Sequence, residues 1–212
     1  MKEYKIPSMT PRVVHDYLYL TGTEWTGKGT AVELGSWLGA SAAPLLTGLV
    51  EAGYNLPFYC YDMWEANTAQ VSKANKAKVK IKDKQDILPL FLNNITSIYP
   101  DIKPTKGTIS STILEYPKDP IEICLFDAPK REPTFSNAMR GVLPYFIPGV
   151  TVLGLLDYYF YKYKSGKKRE YAMAPVLFME KFGGHFMVLQ EWPDQGELHS
   201  CVFFKYIKEL KY

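Results

Sequence analysis

Short apolar runs alternate with helix-spaced segments along most of this chain, and three of those runs stop on an aspartate: Asp62, Asp127 and Asp157. Strand-sized runs at 30–34, 58–61, 104–107, 122–126 and 150–156 are separated by helical patterns at 41–52, 86–99 and 134–146. Such alternation specifies an α/β protein: a mainly parallel sheet with helices on both faces. A helix at 170–182 follows, then two strands at 186–191 and 199–204 joined across Pro193-Asp-Gln-Gly196. That pair reads as a closing hairpin that adds an antiparallel strand, which makes a Rossmann-like sheet of seven strands. Thr134 is the expected N-cap of the helix at 134–146, and Pro148-Gly149 its stop.

No linker or repeat divides the 212 residues, so the chain reads as a single domain, with residues 1–28 as an N-terminal helical segment that could fold over a site as a lid. The start lacks an apolar leader and no apolar run reaches the ~18 residues of a membrane span. Cys60, Cys124 and Cys201 are widely spaced inside apolar runs and read as buried thiols, which fits a reducing, cytoplasmic setting. A net charge of +3 is too close to balance to imply a nucleic-acid partner. Aromatic residues are abundant at 15%, with 16 Tyr, from either an aromatic core or a ring-lined site.

In an open α/β sheet, ligands bind beyond the carboxyl ends of the strands. The candidate site residues are therefore Gly35-Ser-Trp-Leu-Gly39, Asp62-Met-Trp64, Thr108-Ile-Ser110, Asp127-Ala-Pro-Lys130 and the residues after Asp157. The first loop is the sharpest signal. Glycines between a strand and a helix permit a tight turn and close approach to backbone N–H groups. Asp62 follows Gly35 by 27 residues, at the end of the next strand, where a carboxylate can bind a ribose diol. Each aspartate also has a plain structural reading as a turn or cap residue.

At these residues the chain resembles class I S-adenosylmethionine (SAM)-dependent methyltransferases. The run Val32-Glu-Leu-Gly-Ser-Trp-Leu-Gly-Ala-Ser41 is similar to the family's first motif. The resemblance implies that Glu33 orients the methionine end of SAM. It also implies that Gly35, Ser36, Gly39 and Ser41 shape its loop, that Asp62 holds the ribose, and that Met63, Trp64, Thr108 and Ser110 flank the adenine. The nearest pattern is that of small-molecule and sugar O-methyltransferases of the macrocin type. Asp127 and Asp157 match acids that in those enzymes often bind a divalent metal. The matching His is absent and Lys130 stands near its place, so Mg²⁺ would have to complete its shell with waters or substrate oxygens.

Asp127 and Asp157 are thus candidates both for the catalytic base and for a metal, and Lys130 for stabilising a developing alkoxide. Tyr158, Tyr159 and Tyr161, in a run of five aromatics, are candidate acceptor contacts through ring stacking, with packing or a subunit contact in a homodimer as the alternative. His15 is a further candidate if the N-terminal segment covers the site. Two lysine-rich runs, 73–84 and 162–169, are solvated faces or binders of an anionic acceptor such as a nucleotide-sugar. The expected activity is methyl transfer to a hydroxyl of a small acceptor. The alternatives are a nicotinamide-dependent oxidoreductase, although Gly-x-Gly-x-x-Gly spacing is missing, and a non-catalytic module on the same fold.

Overall fold

A computed structural model describes residues 5–192 and 201–212. Its seven strands lie in the order β3-β2-β1-β4-β5-β7-β6. They are β1 (Thr30–Leu34), β2 (Phe58–Asp62), β3 (Ile102–Lys106), β4 (Ile121–Phe126), β5 (Val152–Leu155), β6 (Phe186–Glu191) and β7 (Val202–Tyr206). The first five are parallel, and β7 runs antiparallel between β5 and β6. The single reversed strand matches the expectation. The turn at 193–196 and His199 lie outside the described residues.

The alternation of side chains along each strand feeds two cores. On one face Ala31, Ile123, Leu125 and Phe203 pack under α1 (Arg12–Thr23), α2 (Ala42–Glu51) and α4 (Leu88–Ile95). On the other, Val32, Leu34, Cys124, Phe126, Leu153 and Leu155 pack under α5 (Ile109–Thr112), α6 (Thr134–Val142) and α8 (Ala174–Phe182). Every residue of β1 and β4 is buried, as the central strands of a sheet covered on both sides must be. Cys60, Cys124 and Cys201 are free and buried, as expected. Among the described residues no helix is long and apolar enough to cross a membrane.

Helices α1 and α2 cross at two glycines. A Cβ on Gly48 would stand 2.1 Å from the Tyr19 carbonyl oxygen, and one on Gly22 2.4 Å from that of Leu45. The N-terminal helix is therefore seated backbone against backbone. The loop that follows it is fastened by Glu122 of β4, whose carboxylate accepts from the backbone N–H groups of Lys28 at 2.8 Å and Gly29 at 3.2 Å.

Three local expectations need correction. Helix α6 begins at Thr134, so the cap position falls on Pro133 and the Thr134 hydroxyl caps nothing. The helix expected over 86–99 is shorter, Leu88–Ile95; Asp86 accepts the Leu88 N–H at 3.0 Å and marks its start. The helix expected over 170–182 is broken at Met173 into α7 (Gly166–Ala172) and α8 (Ala174–Phe182). The lysine-rich stretch keeps Lys76, Lys78, Lys80, Lys82 and Lys84 exposed, as a solvated face would, and opens with a helix, α3 (Thr68–Lys76), entered through Asn67. Its side chain accepts from Ala69 and Gln70 while the Gln70 side chain accepts from the Asn67 N–H, a reciprocal capping box.

Candidate active site

The sheet order reverses between β1 and β4, since the chain leaves β1 toward β2 and leaves β4 toward β5. Here the loops after the two strands part and open a cleft. Backbone bonds stitch them together: Gly35 N–H donates to the Tyr61 carbonyl at 2.7 Å, and Asp127 N–H to that of Leu34 at 2.9 Å. Gly35 has φ +101°, and a Cβ there would lie 2.6 Å from Ala128, so only glycine lets the loops approach this closely. The cleft holds about 750 Å³, and Gly35, Trp37, Asp62, Asp127, Lys130 and Asp157 are among the residues that line it.

Asp62 organises the first loop. Its Oδ2 accepts the backbone N–H of Trp37 at 2.9 Å, and its Oδ1 that of Trp64 at 2.7 Å. Both tryptophans sit at left-handed φ, 41° and 42°, which non-glycine residues adopt only when their surroundings hold them. The Trp64 indole N–H adds a bond to the Trp37 carbonyl at 3.0 Å. Burial raises the proton affinity of Asp62, and these backbone donors pull it back. The backbone N–H groups of Met63 and Ser36 act on the same carboxylate in the same direction.

Beneath the loop four buried polar atoms make no well-formed hydrogen bond, although the Ser36 hydroxyl stands near the Glu33 carboxylate: both carboxylate oxygens of Glu33, the Ser36 hydroxyl and the Trp37 indole nitrogen. Buried polar groups are almost always paired, so a cluster of orphans beside a cleft marks a place shaped for a ligand. Glu33 has no exposed surface. Burial pushes its carboxyl up to about 8, an effect partly offset by the nearby Ser36 hydroxyl and reinforced by Asp127 and Asp62. A carboxyl in this state ionises readily once a cationic group arrives.

Asp127 and Asp157 both reach the cleft from the ends of β4 and β5. Burial raises the Asp127 carboxyl, and the Asp157 charge raises it further, against the pull of Lys130. Lys130 Nζ forms an ion pair with Asp157 Oδ2 and lies 4.5 Å from the centre of the Phe160 ring. This set does not fit the metal expected at Asp127 and Asp157. The Lys130 ammonium already takes Asp157, and no group of three His, Cys, Asp or Glu side chains suited to a metal occurs among the described residues.

Several sequence-expected residues lie elsewhere. The Trp64 ring is fully buried against Phe91, so it belongs to the core and not to an adenine pocket. Gly39 serves packing: a Cβ there would meet Ile95 at 2.5 Å. Ser41 is buried at the start of α2 without a side-chain cap bond. Met63 and Thr108 do come together, with the Thr108 hydroxyl 3.6 Å from the Met63 sulfur, but they and Ser110 stand outside the lining of the cleft. His15 is turned to Ser8 Oγ at 3.0 Å; from the N-terminal segment Met9 and Thr10 line the cleft instead. Tyr158 packs on Phe204, Tyr159 bonds Glu191, and Tyr161 stands against Tyr159. Of that aromatic run the lining residue is Phe160.

The site also includes residues that the sequence reading missed. Asn67, Gln70, Arg131 and Cys201 line the cleft, beside Lys73 and Lys76 of the lysine run read above as a solvated face or an anion binder. The Asn67-x-x-Gln70 spacing is a helix-start signature and was available in the sequence.

No protein-family model matches the chain. No curated protein matches it either. Solved structures do. The O-methyltransferase NovP matches with a TM-score of 0.63 at 13% identity, over 92% of this chain and 79% of that one. CalS11, a calicheamicin methyltransferase, matches with a TM-score of 0.58 at 14% identity, over 92% and 77%. The S-adenosylhomocysteine-bound Podospora anserina methyltransferase PaMTH1 matches with a TM-score of 0.56 at 12% identity, over 94% and 80%. At these identities the likeness is one of fold: the chain has the Rossmann-like fold of these methyltransferases.

Proposed function

We propose that the chain is a SAM-dependent methyltransferase that acts on a hydroxyl of a small acceptor. The observation that carries this reading is the cluster of orphaned polar atoms on Glu33, Ser36 and Trp37, at the strand switch where a cofactor of this fold would lie. A methionine moiety supplies the matching chemistry: an ammonium for Glu33 and carboxylate oxygens for the Ser36 hydroxyl and the Trp37 indole N–H. Asp62, which lines the cleft at the end of β2, suits a ribose diol.

When bound, SAM supplies a methyl group on a sulfonium, open to in-line displacement. The residues of the cleft then orient the acceptor and accept its proton. Asp127 is the base in this reading. Its raised proton affinity brings it toward the range where a carboxylate takes a proton effectively near neutral pH. The acceptor hydroxyl proton passes to a carboxylate oxygen of Asp127 as the oxygen gains negative charge. The Lys130 ammonium, held in place by Asp157, stabilises that charge. No step runs through a metal.

A sugar-bearing acceptor agrees with the likeness to CalS11, described as a TDP-rhamnose 3'-O-methyltransferase. The reading is tested by titrating the full chain, and then its Asp127→Asn variant, with SAM. Saturable binding retained in the variant, with methyl transfer lost, supports it; an unreactive, non-binding wild type refutes it.

A further inference from the structure

Cations gather around one ring of the cleft wall. Lys164 Nζ lies 4.3 Å and Lys130 Nζ 4.5 Å from the centre of the Phe160 ring, with the Arg131 guanidinium at 5.9 Å. Lys73 and Lys76, from α3, line the same cleft. One lysine-rich stretch thus reaches the cleft through α3, and the other touches a ring of its wall through Lys164. Lys130 has Asp157 as its counterion. Among the described residues no ion pair engages Lys73, Lys76, Arg131 or Lys164.

Ring faces attract each cation but do not neutralise it, and like charges this close repel one another. The proposed cofactor adds to the imbalance, because its sulfonium and ammonium outnumber its one carboxylate. Asp62, Asp127 and Asp157 line the same cleft and offset part of this charge, and an anionic group on the other reactant would complete the balance. Arginine and lysine together are the usual partners of phosphoryl oxygens.

We propose that Arg131 and Lys164, grouped with Lys130 around Phe160, and Lys73 and Lys76 of the same cleft form a subsite for a phosphoryl group carried by the methyl acceptor. This rests on the methyltransferase reading for its second half, the acceptor, and on the cation cluster alone for its first, the phosphoryl group. The acceptor would then be a phosphorylated small molecule whose free hydroxyl lies toward Asp127.

The test is calorimetry on the full chain at constant ionic strength, with inorganic phosphate and glucose 1-phosphate as probes, with and without saturating S-adenosylhomocysteine. Both probes are expected to bind the wild type saturably. The double variant Arg131→Gln/Lys164→Gln should weaken them by about tenfold or more. The control Lys167→Gln/Lys168→Gln, on exposed neighbours, should leave them within about twofold. Absence of binding, equal binding in the Arg131/Lys164 variant, or an equal loss in the control overturns the subsite. Tighter binding of glucose 1-phosphate than of phosphate, retained beside S-adenosylhomocysteine, supports the acceptor assignment. Equal affinities, or mutual exclusion with S-adenosylhomocysteine, overturn that assignment and identify a free-anion site. If S-adenosylhomocysteine itself fails to bind, the methyltransferase reading falls while the phosphoryl measurements still decide the subsite.

Discussion

Asp62, the last residue of β2, accepts the backbone N–H of Trp37 at 2.9 Å and so fixes a left-handed residue in the loop that follows β1. Its other oxygen holds Trp64, also left-handed. One carboxylate thereby secures two strained positions on neighbouring strand ends. Hydrogen bonds to charged groups contribute ~1.5–3 kcal/mol each, and left-handed residues cost ~1–3 kcal/mol each. The bonds offset the strain only while the carboxylate is present. Asp62→Ala is expected to lower unfolding free energy by roughly 2–4 kcal/mol in urea denaturation and to weaken SAM binding at least about tenfold. A variant as stable as the wild type would contradict this role.

Glu33 gives a pH signature. Its carboxyl lies at about 8 in the folded protein, against an ordinary value of 4.5. The folded state therefore holds this proton more tightly than the unfolded chain. Its contribution to stability is fully present below the ordinary value and is lost as pH rises toward about 8, by at most about 1.4 kcal/mol per pH unit. Glu33→Gln should remove that decline, making the ligand-free protein more stable than the wild type at pH 8, while SAM affinity falls. Parallel stability curves for the two proteins from pH 5 to 8 would show the carboxyl to be ordinary.

The same carboxyl predicts proton release. At pH 7 it is mostly protonated in the free protein, and the ammonium of the cofactor favours its charged form. Binding of SAM at pH 7 should then release a fraction of a proton approaching one. The binding heat should vary with the ionisation enthalpy of the buffer. Heats that are equal in HEPES and Tris would rule out this pairing.

Asp127 separates chemistry from binding. Asp127→Asn preserves shape but cannot take the proton, so the turnover number should fall about 10²–10⁴-fold with SAM affinity within about threefold. Retained turnover would remove Asp127 from the base role.

The contact between α1 and α2 tests the fold. Gly48→Ala places a methyl group where the Tyr19 carbonyl stands, 2.1 Å away. Overpacking of this kind costs ~1–3 kcal/mol, and a lower melting temperature is the expected result. An unchanged melting temperature would mean that the helices separate at little cost.

The sheet and its single reversed strand were legible because buried strands leave apolar runs and helices leave a different period. The placement of Gly35, Asp62, Asp127, Lys130 and Asp157 in one cleft followed from that layout. What escaped was the direction of side chains within loops. In the run after Asp157 the four tyrosines are the conspicuous residues, yet their hydroxyls and edges find partners such as Glu191 and Phe204, and the lone Phe160 faces the cleft. Trp64 follows a strand end as a ligand contact would, but its indole N–H is used by the Trp37 carbonyl and its ring fills the core. Helix α3 escaped because its polar, lysine-rich surface hid the Asn67–Gln70 start signal.

The central claim is that Glu33, Ser36, Trp37 and Asp62 form a SAM site, and isothermal titration of the full chain with SAM tests it most directly. The account predicts one saturable site with a dissociation constant tighter than about 1 mM, or about −4.1 kcal/mol. It also predicts no comparable binding of nicotinamide dinucleotides. No saturable heat with SAM, or tighter binding of NAD than of SAM, would contradict it.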